Sequence, residues 1–183
     1  MKKSLLISSS VVFAAFLFTG CGIKTSEYNV SADNVQILRD YKELKLDVST
    51  FSATTAGESS AMCRLAETIS TPKGESFEEY IKDALISELK MAGVYDKNSD
   101  LKISGNLNKI YGSTMYGNAY WEISVTITSS NGKSLSVNTK REYPSSYLAS
   151  TACNNMGTSF SPTIKQLIGD ILNHKDFHLL LNK

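Results

Sequence analysis

The sequence predicts a two-layer α+β sandwich in which a sheet of about four mostly antiparallel strands carries two helices on one face. Three observations carry that prediction. Residues 76–93 place apolar side chains at helical spacing, residues 120–143 alternate with period two around an Asn-Gly pair, and residues 149–171 return to helical spacing. The alternating segment is written in Ser and Thr on one face and in Trp, Ile and Val on the other. An apolar sheet face needs a cover, and two amphipathic helices supply one.

Residues 1–20 stand apart from that domain. Lys2 and Lys3 form a basic head, and Leu5 to Phe18 form an apolar run diluted by Ser8, Ser9 and Ser10. This is the pattern of a secretory signal, and it is shorter than the roughly 20 apolar residues a bilayer span requires. The division is therefore a leader over 1–20, an attachment point and tether over 21–42, and a single domain over 43–183. The leader carries two lysines and no acid, so the chain's 19 basic and 18 acidic residues become 17 against 18 after its removal. Such a balanced surface excludes an argument for nucleic acid or for a polybasic membrane patch.

Within the domain, Leu44, Leu46 and Val48 share one face of a first strand. Residues 52–75 read as a loop with a short helical turn around Ala61 to Ala66 that presents Cys63, closed by Thr71-Pro72 and Gly74. The first long helix opens with Ser76 and Glu79 as a capping box and ends at Gly93. Phe77, Tyr80, Ile81, Ala84, Leu85, Leu89 and Ala92 make its stripe. A strand follows through Leu101, Ile103, Gly105 and Leu107, and its phase slips before Ile110, which places a bulge near Asn108. In the hairpin, Trp121, Ile123, Val125 and Ile127 point one way, and Leu135, Val137 and Thr139 answer them. Asn131-Gly132 supplies the positive-φ positions of a tight turn. Ala149, Cys153, Met156, Phe160, Ile164, Leu167 and Ile171 keep one helical phase across Pro162. They predict a single helix bent at the proline with Gly157 helping. The tail "HKDFHLLL" packs or trails.

Residues "FTGC" resemble the lipobox of bacterial lipoproteins, with Phe18 where Leu is usual. The resemblance implies that Cys21 is acylated and becomes the first residue, and that Gly22 after it favours the outer membrane, facing the periplasm or the cell surface. Plain secretion and an uncleaved anchor are the competing readings. If Cys21 is acylated, Cys63 and Cys153 remain, and an even pair in an oxidising compartment reads as one disulfide. Two buried free thiols are the alternative. There is no CxxC, which argues against redox catalysis and a cysteine-built zinc site.

The stretches "CRLAETISTPKGESFEEYIKDALISELKMAGVYD", "WEISVTITSSNGKSLSV" and "ACNNMGTSFSPTIKQLIGDIL" resemble uncharacterised small proteobacterial envelope lipoproteins. That resemblance implies recurring cysteines at the positions of Cys63 and Cys153. More remotely, the order of elements is similar to YajG-like lipoproteins and to the auxiliary lipoproteins of ABC transport systems. Neither resemblance brings a catalytic residue with it.

The chemistry in the sequence is sparse. His174 and His178 are four apart and would share a helix face, with Asp170 one turn earlier, but no HExxH accompanies them; the bland reading is a satisfied or exposed pair. No G-x-S-x-G or phosphate loop occurs, and no cofactor is expected. The segment "KIYGSTMYGNAYWE" gathers Tyr111, Tyr116, Asn118, Tyr120 and Trp121, a set able to form a shallow sugar, peptide or partner patch that Tyr143 and Tyr147 extend. The alternative is aromatics folded back over a sheet edge. The functional expectation is a lipid-anchored envelope protein with a non-enzymatic, partner-docking or structural role. A carrier for lipid or another apolar ligand comes second, and a cell-envelope hydrolase third.

Overall fold

A computed structural model describes residues 22–65 and 67–182. The chain runs β1 (Ile23–Lys24), α1 (Ala32–Arg39), β2 (Asp47–Ala53), β3 (Ser60–Cys63), β4 (Glu67–Ser70), α2 (Phe77–Ala92), β5 (Lys102–Met115), β6 (Asn118–Ser129), β7 (Ser134–Glu142), α3 (Ala149–Leu172) and α4 (Phe177–Leu181). The main sheet has the order β2-β5-β6-β7. β2 runs parallel to β5, and the other two pairs are antiparallel. This is the expected four-stranded α+β sandwich, with a small second sheet of order β1-β4-β3 added to it. The leader and Cys21 lie outside the described residues.

The strongest sequence signals form as expected. Ser76 and Glu79 make both bonds of the capping box, and Gly93 closes α2 in the left-handed region at φ 75°. The register of β5 against β6 shifts between Leu107 and Lys109, which places the bulge at Asn108. α3 runs through Pro162 as one helix. Trp121, Ile123, Val125 and Ile127 are buried against it. The centre of the core is aromatic: the Phe160 ring lies 5.2 Å from Trp121, 5.2 Å from Tyr80 and 5.4 Å from Phe77. Trp121 also donates its Nε1–H to the Met156 carbonyl at 2.9 Å, so its one polar atom is satisfied.

Four expectations change. Residues 22–42, read as a tether, are part of the fold. β1 pairs with β4, with Ile23 opposite Ile69, and α1 buries Val35 and Leu38 in the main core. The helix escapes a periodicity search because eight residues give it only two turns. Its legible signals were the Ser31 cap, Asp33 in the first turn and Arg39 in the last. Second, the helical turn around Cys63 is a β-hairpin, β3 to β4, in which Arg64 and Leu65 both take positive φ. Third, Gly157 has a packing role beyond the bend expected of it: a Cβ there would sit 2.8 Å from Ile23 Cγ2, so its missing side chain admits β1 against α3. Fourth, only Gly132 has positive φ at the β6–β7 turn. Gly132 N–H donates to Ser129 O and Ser129 N–H to Lys133 O, a turn of three residues rather than two.

Candidate functional site

β5, β6, β7 and α3 all meet at one pole of the molecule, where the β5–β6 turn at Tyr116–Gly117, the end of β7 and the start of α3 lie together with the β3–β4 turn. One residue ties them. The Arg64 guanidinium donates to the carbonyls of Tyr147 at 2.9 Å, Thr114 at 3.0 Å and Ser146. Ser145 Oγ donates to the same Thr114 carbonyl, and buried Tyr143 donates its hydroxyl to Ser113 O at 2.8 Å. Burial pushes the Tyr143 phenol well above its ordinary range. Beside Arg64, a disulfide joins Cys63 to Cys153 with Cα atoms 5.8 Å apart. It pins the hairpin to the first turns of α3. Arg64 and Leu65 hold successive left-handed conformations where Gly or Asn is the ordinary choice. The arginine fork spans three segments that no backbone ladder joins, and this contact compensates the local strain.

The surface that results is apolar. The Tyr116 and Tyr147 rings stack with centroids 3.8 Å apart. Leu65, Tyr147, Leu148 and Met115 are 92%, 76%, 69% and 67% exposed, far more than their residue types ordinarily are. A shallow depression of about 330 Å³ adjoins them, lined by Tyr116, Gly117, Asn118, Ala119, Glu142 and Tyr143.

The aromatic patch expected from the sequence is thus divided among three places. Trp121 is fully buried and belongs to the core. Tyr111 and Tyr120 pair at 5.9 Å on the open face of the main sheet, where Lys140 Nζ sits 4.1 Å from the Tyr120 ring centre. Tyr116 and Asn118 remain at the pole, joined by Tyr147. Period-two alternation gives the reason: Tyr120 and Trp121 are neighbours in sequence and therefore point to opposite faces. Arg64, Leu65, Met115 and Leu148 were missed because the three loops that carry them are distant in sequence. The open face also holds a hydrogen-bonded ladder across all four strands, from Ser52 through Asn106, Asn108 and Thr126 to Ser136, with steps of 2.8 to 2.9 Å.

The two histidines do not form a pair on one helix. α3 ends at Leu172, His174 lies in the following turn and accepts from Asp176 N–H, and His178 is in α4. Asp170 accepts from the Thr139 hydroxyl at 2.6 Å. Among the described residues no group of three or more His, Cys, Asp and Glu is placed to hold a metal ion.

One buried polar cluster was not foreseen. Glu88, fully buried in α2, accepts at Oε1 from the Tyr28 hydroxyl, from Ser31 N–H at 2.8 Å and from Asn34 Nδ2 at 3.3 Å. Burial first, and the Glu88 hydrogen bond second, push the Tyr28 phenol far above its ordinary value. The cluster fastens the 28–34 segment and α1 onto α2. A solvent-open cleft of about 190 Å³ beside it is lined by Glu27, Tyr28, Lys73, Glu75, Tyr80 and Asp83.

No known protein family matches the chain, and no curated protein matches it. Among solved structures, the chain is similar to protein XCC0632 from Xanthomonas campestris, a DUF330 protein. The identity is 13% and the TM-score 0.49, over 82% of this chain and 90% of that one. Among the described residues no helix is long and apolar enough to cross a membrane.

Proposed function

We propose that this chain is a lipid-anchored protein of the bacterial cell envelope, attached through Cys21, with a non-enzymatic role docking or supporting another envelope protein. The observation that carries the reading is the pairing of cysteines. Cys63 and Cys153 are bonded to each other and buried, so Cys21, at the end of the apolar leader, is the remaining one of three. A structural disulfide belongs to an oxidising compartment. A cysteine after Thr19-Gly20 resembles an acylation site, and Gly22 favours the outer membrane with the domain facing the periplasm. The resemblance to small proteobacterial envelope lipoproteins, and the remoter one to YajG-like and ABC-transport auxiliary lipoproteins, supports the same placement.

The carrier alternative needs an apolar cavity between helices and sheet. That space is occupied by Trp121, Met156, Phe160, Ile164 and Leu167, each fully buried. The hydrolase alternative has only His174 and His178 as imidazole bases, and they sit in a turn and a short terminal helix.

Intact mass spectrometry of the native protein tests the proposal. The expected mass is that of residues 21–183 plus acyl groups and minus two hydrogens for the disulfide. An unmodified full-length chain with three reduced thiols overturns it. A pulldown from mildly solubilised envelopes is expected to recover a stoichiometric protein.

A further inference from the structure

Gly22, where the described chain begins, and the apolar pole lie at the same end of the molecule. A Cβ built on Gly22 would lie 2.8 Å from Thr68 Oγ1. β1 runs parallel to β4 with Ile23 opposite Ile69, so Gly22 lies at the level of Thr68, next to Glu67. Glu67 pairs with Cys63, and the next residues are the Arg64–Leu65 turn. The chain therefore enters the described fold at Gly22 beside this turn, and adjacent Cα atoms are only about 3.8 Å apart, which limits the reach of an attachment one residue earlier. Arg64 in turn holds the carbonyls of Thr114, Ser146 and Tyr147, which present Met115, Tyr147 and Leu148. The segment expected to give slack is folded, so an anchor at Cys21 leaves no spacer between the domain and the membrane.

We propose that this pole, formed by Leu65, Met115, Tyr116, Tyr147 and Leu148, seats in the interface of the lipid bilayer that holds the Cys21 acyl chains. The proposal rests on the anchor reading above and adds an orientation to it. The chemistry fits: Leu and Met offer apolar side chains, and tyrosines favour the headgroup level, where a ring can be apolar and its hydroxyl wet. Binding of this kind scales with the apolar area submerged. Nothing in the fold requires these residues to be apolar, because each faces solvent in the isolated domain. Arg64 does not oppose the seating, since its guanidinium is engaged by three carbonyls. A protein partner covering the same pole is the competing occupant. The exit of the chain beside the turn favours the bilayer, because an anchored pole is brought to the membrane whatever else it meets.

The test uses the full acylated chain reconstituted in vesicles of phosphatidylethanolamine and phosphatidylglycerol with brominated acyl chains. The chain's single tryptophan, Trp121, is buried and gives a constant background. Leu65→Trp and Tyr147→Trp place a reporter at the pole, and Lys133→Trp places one at the exposed β6–β7 turn at the opposite end. Quenching of the two polar reporters at least about twofold above Lys133→Trp is expected for interfacial insertion. Equal quenching at all three positions in protein whose mass shows acylation overturns the seating, leaves the anchor standing and points to a protein at the pole. A chain that carries no acyl mass and does not float with vesicles overturns both. Hydrogen exchange of the unsubstituted chain gives an independent measure: amides of 115–117 and 145–148 are expected to slow on vesicles relative to detergent, and unchanged rates count against the seating.

Discussion

The two poles of the main sheet are built with the same device and put it to opposite use. At one, Arg64 gathers the carbonyls of Thr114, Ser146 and Tyr147. At the other, Asn131 Nδ2 donates to Leu179 O at 2.9 Å and Asn182 O at 2.6 Å, with a longer contact to Leu180 O. Ser129 Oγ adds a bond to Leu180 O at 2.7 Å. The Asn131 clamp draws a terminal helix onto the sheet, and Phe177, Leu180 and Leu181 are buried beneath it. The Arg64 clamp leaves Leu65, Met115, Tyr147 and Leu148 in solvent. The fold can bury apolar residues at a sheet end and does so at one of them. Apolar exposure at the other pole is therefore a property of that surface and not a general consequence of loop composition.

The largest break in this comparison comes from the disulfide, which braces the Arg64 pole alone. Cys63→Ala with Cys153→Ala opens a crosslink between residues 90 apart in sequence, and loop-closure entropy sets the loss at about 4 to 5 kcal/mol. Thermal unfolding with and without reductant is expected to show the same large drop for the native chain and none for the double variant. Arg64→Ala removes the Arg64 bonds to the Ser146 and Tyr147 carbonyls, leaves Thr114 O with Ser145 Oγ alone, and is expected to cost about 2 kcal/mol. Exchange should quicken at 145–148 while 177–182 stays protected, and Arg64→Lys should recover little because an ammonium lacks the fork. Asn131→Ala removes neutral bonds at an exposed turn, with an expected loss of about 1 kcal/mol, and its exchange signature should be the reverse, confined to α4.

The smallest effect is absent at neutral pH. Tyr143, under the apolar pole, and Tyr28, against Glu88, both have phenols held above the ordinary 10.0 by burial. The unfolded chain therefore loses these protons first. The stability they contribute is complete below pH 10 and declines as pH rises through their folded values. Chemical denaturation is expected to show a steeper loss above pH 10 for the native chain than for Tyr143→Phe or Tyr28→Phe. Equal slopes would mean that neither phenol is shielded.

The regular elements with long apolar periods were legible from the residues: α2 with its cap, the β6–β7 hairpin, the slip at Asn108 and the passage of α3 through Pro162. Each extends over enough residues for period and phase to be counted. The small sheet was not legible. β1, β3 and β4 have two to four residues, and their hairpin turns on Arg64 and Leu65, which carry none of the usual turn chemistry. Tyr116 of the candidate site was named from its neighbours, and Tyr147 as an extension of them. The sequence places Trp121 both on the covered face of the hairpin and in the aromatic patch; its burial bears out the first and removes it from the second, because grouping by composition ignores the alternation that separates it from Tyr120.

The residues alone determined the α+β layering and the helix and hairpin at its centre, because burial of an amphipathic period is a local demand that has few solutions. They also placed the third cysteine at the end of an apolar leader. Tertiary structure alone decided that the 22–42 segment has no slack, that Cys63 faces Cys153 from a hairpin, and that three segments distant in sequence share one arginine. Those facts depend on which segments meet in space, and contacts between residues 50 to 90 apart leave no period in the chain that encodes them.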